Sequence, residues 1–128
     1  MKHTTAKQEC LTIVHESAID HIMALLVYAE VLGAEPATRQ QAVEIAIDAK
    51  SLALKNRHYH LSIAADCFML RLNAASLTND QMYETLVEVH GQFMSWRVHV
   101  TPARAAKMAE EFDRLERFCD ALAAWRTP

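Results

Sequence analysis

Turn-forming residues are scarce in this sequence, with two glycines and three prolines in 128 residues. A sandwich or barrel of many short strands needs turn signals at roughly every eight to twelve residues, so that class is excluded. Cysteine is scarce too. Cys10, Cys67 and Cys119 lie far apart with no Cys-x-x-Cys or Cys/His ligand spacing, which argues against a zinc ribbon or a disulfide framework. Neither sign of charge dominates: 16 acids and 13 bases give a net charge of -3, without the basic excess of a dedicated nucleic-acid binder. The opening residues lack the uninterrupted apolar stretch of a signal peptide. The most apolar window, residues 22–32, is about half a bilayer span and contains Glu30. No G-x-G-x-x-G, P-loop or G-x-S-x-G occurs, and two glycines cannot build a phosphate cradle. A cytoplasmic protein with reduced, buried thiols is expected, without a membrane partner, a cofactor or a nucleic-acid partner.

What the chain has in quantity is apolar and helix-forming residues, 52% hydrophobic with 21 alanines. That excludes disorder, and the length fits a single helical-bundle domain over residues 1–128. The first helix is expected over residues 5–32, with Thr5 and Gln8 as a capping box and Gly33 as a left-handed stop. Leu11, Val14, Ala18, Ile22, Leu25, Ala29 and Leu32 step by three or four, and Ile13, Ile19, Met23, Leu26 and Val27 widen the stripe. A helix that apolar is either central in its domain or covered by a partner. A second helix starts near Pro36 and ends around Asn56, with Glu44, Asp48, Ser51 and Lys55 as its narrow polar stripe. After a kink at residues 55–60, a third carries Leu61, Ala65, Phe68 and Leu72 on one face, with Ser62 and Asp66 opposite. Thr78 and Gln81 cap a fourth, stapled by Leu77 and Met82, whose stripe runs Met82, Leu86, Val89, Phe93, Trp96, Val100. Thr101-Pro102 opens a fifth, with Ala105, Met108, Phe112, Leu115, Cys119 and Leu122 inward and Glu110–Arg114 and Asp113–Arg117 as solvent-side pairs. Short connections make neighbours antiparallel, so the expected fold is an all-α antiparallel bundle of four or five helices.

Seven histidines are the compositional oddity. Antiparallel packing puts His15, His58, His60 and His90 within about a turn of one level, and imidazoles gathered from several helices are how a bundle holds a transition metal. Neither Glu-x-x-His nor His-x-x-x-His supports that arrangement, so the alternative is a set of histidines at helix ends and flanks. Glu84 with Glu88 and Glu44 with Asp48 are i,i+4 acid pairs that a solvated face explains. Cys67 and Cys119 lack a basic or helix N-terminal setting, so inert thiols are expected. Arg97, His99, Arg104 and Lys107 gather around the last turn beside Trp96, a modest basic cluster offset by Glu110 and Glu111.

No catalytic constellation is legible, and the sequence favours a non-enzymatic role. Its apolar surplus points to a helical binding protein acting through helix–helix contacts with itself, as a homodimer, or with a protein partner as regulator, adaptor or inhibitor. Phe112, Leu115, Phe118, Leu122 and Trp125 are the expected interface residues. The competing reading is a bundle that holds a metal or small ligand at the histidines.

Overall fold

A computed structural model describes residues 18–127. Among them are five α-helices and no strand: α1 (Ala18–Gly33), α2 (Arg39–Lys55), α3 (Tyr59–Asn73), α4 (Asn79–Trp96) and α5 (Pro102–Arg126). Single 3-10 turns at Pro36–Thr38, Ala74–Ser76 and Arg97–His99 join them. The fold is all-α, as the apolar stripes require. The expected start of the first helix, with the Thr5–Gln8 box, lies outside the described residues.

Local chemistry sets most boundaries where the sequence places them. Thr78 Oγ accepts from the Gln81 backbone N–H at 3.1 Å, and the Gln81 side chain accepts from the Thr78 backbone N–H at 2.9 Å, a complete capping box. Thr101 accepts from the Arg104 N–H, with Pro102 in the first turn of α5. Between α2 and α3 the expected kink is a full break. Arg57 adopts a left-handed φ of 59°. The His58 N–H reaches the Ala53 carbonyl and the Arg57 N–H the Leu54 carbonyl, the paired bonds of a Schellman ending built on arginine instead of glycine.

Gly33 plays a different part from the one expected. It is not left-handed. A Cβ there would lie 3.1 Å from Leu72 Cδ1 and 3.3 Å from Phe68 Cζ, so the missing side chain lets α1 approach α3. The Thr38 hydroxyl donates to the Leu32 carbonyl and closes the end of α1.

The helix surrounded by the others is α3, which packs against all four. Its buried residues therefore run around the helix: Leu61, Ile63, Cys67 and Leu70, and also Ser62 and Asp66, which the amphipathic reading had put in solvent. Asp66 is held by Lys50 of α2 at 2.7 Å. Around α3, α4 and α5 a core of large side chains forms, including Ile63, Met82, Met108, Phe112 and Leu115. Against α1 and α2 the core is made mainly of alanine, with Ala42, Ala46, Ala49 and Ala53 of α2 and Ala29 of α1 fully buried.

Candidate functional site

The break before α3 and the α4–α5 turn meet at one end of the bundle, where Tyr59 stacks on Trp96 with ring centroids 5.4 Å apart and His99 lies 6.1 Å from Tyr59. The Arg57 turn sets His58 just before α3 and His60 in its first turn, with ring centroids 6.2 Å apart, edge to face. Arg104 and Lys107, in the first two turns of α5, lie near enough for their charge to act on these rings. Burial and then the Arg104 charge hold His58 below the usual histidine range. His60 is pushed down to about 4 by burial, then by Arg104, His58 and Lys107, so at neutral pH its ring is uncharged. Both Nδ1 atoms are buried without a hydrogen-bond partner.

Of the four histidines expected to share a level, only His58 and His60 come together. His15 lies outside the described residues. His90 projects from α4 toward α5, where its ring rests on Phe112 at 5.0 Å and Phe93 at 6.2 Å. Among the described residues no group of three or more His, Cys, Asp or Glu could hold a metal ion. The sequence treated the histidines and the basic cluster as separate features, whereas the fold joins them. One signal was available: residues 49–65 and 89–109 contain no acid, yet hold six of the 13 Lys and Arg and four of the seven His.

Other buried polar atoms also lack partners, two on α3 and one on α4. Asp66 Oδ2, Ser62 Oγ and Gln92 Oε1 are buried without partners. Burial raises the Asp66 carboxyl above its ordinary range, while the Lys50 hydrogen bond and charge partly oppose it. The thiols are inert: Cys67 is buried, and burial first, then Glu111, pushes it up to about 12. Burial likewise raises Cys119.

The expected interface residues divide. Phe112 and Leu115 are buried in the chain's own core and offer nothing to a partner in this fold, and Leu122 packs half-buried against the same cluster. Phe118 and Trp125, about one and three helical turns beyond Leu115, are 36% and 83% exposed. The larger apolar surface is on α1, where Met23, Val27, Tyr28 and Val31 are each more than half exposed. Both acid pairs, Glu84 with Glu88 and Glu44 with Asp48, are solvated. On α5, Arg117 pairs with Asp113 as expected, whereas Arg114 meets Glu111 at 3.9 Å in place of Glu110. Among the described residues no helix is long and apolar enough to cross a membrane. Compared with known protein families, curated proteins and solved structures, the chain matches none of them.

Proposed function

We propose that this chain is a helical binding protein that acts through helix–helix contacts, pairing with a second copy of itself along the outward face of α1. The observation that carries the reading is the burial pattern of α1. A helix this apolar must be central or covered. The centre belongs to α3, and α1 packs mainly against α2. Met23, Val27 and Val31 follow at i, i+4 and i+8, with Ala24 and Tyr28 beside them, and all five are exposed. No Asp, Glu, Lys or Arg interrupts the helix between Asp20 and Glu30.

Such a stripe is its own complement. In a two-fold antiparallel pair centred on Val27, Met23 meets Val31 of the second copy, so one patch serves both subunits. Glu30 falls on the rim, where a charge remains hydrated. Buried free Cys67 and Cys119 suit a reducing, cytoplasmic compartment. Light scattering at micromolar concentration is expected to give twice the chain mass of 14.5 kDa, and Val27→Glu to give the single chain with unchanged helicity. A single-chain mass for the unaltered protein at high concentration would overturn the reading.

A further inference from the structure

We propose that the cavity between α3 and α4 is a binding site for a small uncharged molecule, largely apolar, whose N–H or O–H group donates to Asp66. The cavity measures about 440 Å³, within the roughly 300–1,000 Å³ range of small-molecule sites. Asp66, Met69, Leu70 and Asn73 line it from α3, at the i, i+3, i+4 and i+7 spacing of one helical face. Thr85 and Val89, one turn apart on α4, line it from the other side. Asp66, Leu70 and Val89 are buried, whereas Asn73 and Ser76, beside the connection between the two helices, are exposed. The cavity thus has an apolar depth holding one carboxylate, and a polar mouth.

A second observation marks that carboxylate. Asp66 is only 9% exposed, and its Oδ1 accepts from the Lys50 ammonium at 2.7 Å, yet its Oδ2 is buried with no partner. A carboxylate oxygen left unpaired away from water is costly, and a donor that reaches it removes the cost. The Thr85 hydroxyl does not serve, because it donates to the Gln81 carbonyl. Charge decides the kind of donor. Lys50 already balances Asp66, so a cationic ligand would leave a net positive charge among apolar walls, whereas an uncharged donor leaves the pair neutral. The walls decide the body, since Met69, Leu70 and Val89 offer apolar contact and no further hydrogen bond from their side chains. Met69 is half-buried and unbranched, and its flexible side chain is the wall that gives way as the donor approaches Oδ2.

The test follows the methionine methyl resonances of the full chain by NMR at pH 7.5 while indole, an N–H donor, is added. The Met69 methyl is expected to shift saturably, while those of the exposed Met23 and Met94 do not. Indene has the same outline without the N–H and should bind about tenfold more weakly. Protonated aminoindane, a cation of similar shape, should also bind more weakly than indole. In Asp66→Asn the amide oxygen serves Lys50 and an NH2 group takes the place of Oδ2. Indole should then lose its advantage of about tenfold, and indene should bind as before. Ser76→Trp, at the exposed mouth and outside the core, gives a second lesion that should weaken both probes. Circular dichroism confirms that each variant is folded. An unmoved Met69, equal drift of all three methyls, indene or aminoindane binding as tightly as indole, or both variants binding indole as the parent does would overturn the site.

Discussion

In α3, α4 and α5 the buried side chains are large: Ile63, Leu70, Met82, Leu86, Met108, Phe112 and Leu115 all point into one cluster. In the α1–α2 hairpin the buried residues are mainly alanines, and while Ile22, Leu25, Leu26 and Leu32 of α1 pack inward, Met23, Val27, Tyr28 and Val31 point away from the domain. The same apolar composition thus serves two ends. Large residues inward give the three C-terminal helices a core that needs no partner. Small residues inward bring α1 and α2 close together and leave Met23, Val27 and Val31 facing out, which gives the hairpin a surface. Alanine seams of this kind gain stability from close backbone approach and dispersion more than from area removed from water.

The contrast is most easily broken in the large-residue core. Leu115→Ala should cost about 2–5 kcal/mol in urea unfolding, since a fully buried leucine leaves a cavity among side chains already packed. Val87→Ala on the exposed face of α4 should change stability by less than about 0.5 kcal/mol. In the hairpin the opposite substitution is the damaging one. Ala49→Leu should cost about 1–3 kcal/mol by forcing α1 away from α2, because no gap is available for the added carbons. An Ala49→Leu protein as stable as its parent would mean that the seam is loosely packed.

Two smaller effects concern the junction between the halves. His60 has a folded-state pKa near 4 against 6.5 when unfolded, so the unfolded chain binds the extra proton. The stabilisation from keeping this ring neutral is complete above pH 6.5 and is lost as pH falls toward 4. His60→Gln should therefore reduce the difference between unfolding free energies measured at pH 7.5 and at pH 4.5. Asp66 acts in the opposite sense, because its raised carboxyl favours the folded state below its ordinary value of 3.8 and that contribution is lost as pH rises through the raised value. Arg57→Gly should raise stability by about 0.5–1 kcal/mol, since glycine takes the left-handed φ of 59° without a Cβ clash. An unchanged melting temperature would show that the arginine side chain compensates locally.

Much of the fold could be read from the sequence because its signals are local. The Thr78–Gln81 box, the Thr101-Pro102 start and the α5 stripe depend on residues within a turn or two of one another, and each stands where expected. Centrality does not work that way. Helical periodicity identifies an apolar face, but a helix enclosed by four others buries its polar face too, and so Ser62 and Asp66 read as solvent residues. The histidines show the same limit at a finer scale. Chain length and turn position place a residue along the bundle axis, and on that count His60 and His90 are neighbours. They do not say toward which helix a ring projects, and His90 turns to Phe112 of α5. Gly33 ends α1 where expected but without a left-handed φ, and its role in letting α1 approach α3 leaves no local mark in the sequence.

The central claim is that the outward face of α1, and not the exposed Phe118–Trp125 edge of α5, is where two chains meet. Paired spin labels test it most directly, with Cys10 replaced by serine and the buried, inert Cys67 and Cys119 left in place. A single label at Glu30, on the rim of the α1 stripe, should sit close to its copy across the two-fold axis. Helix packing distances of 8–10 Å and a rise of 1.5 Å per residue put the two Cα atoms about 10–15 Å apart. A label at Ala121 on α5 should show no such coupling, and Val27→Glu should abolish the signal at Glu30. Strong coupling at Ala121 with none at Glu30, or none at either position, would contradict the account.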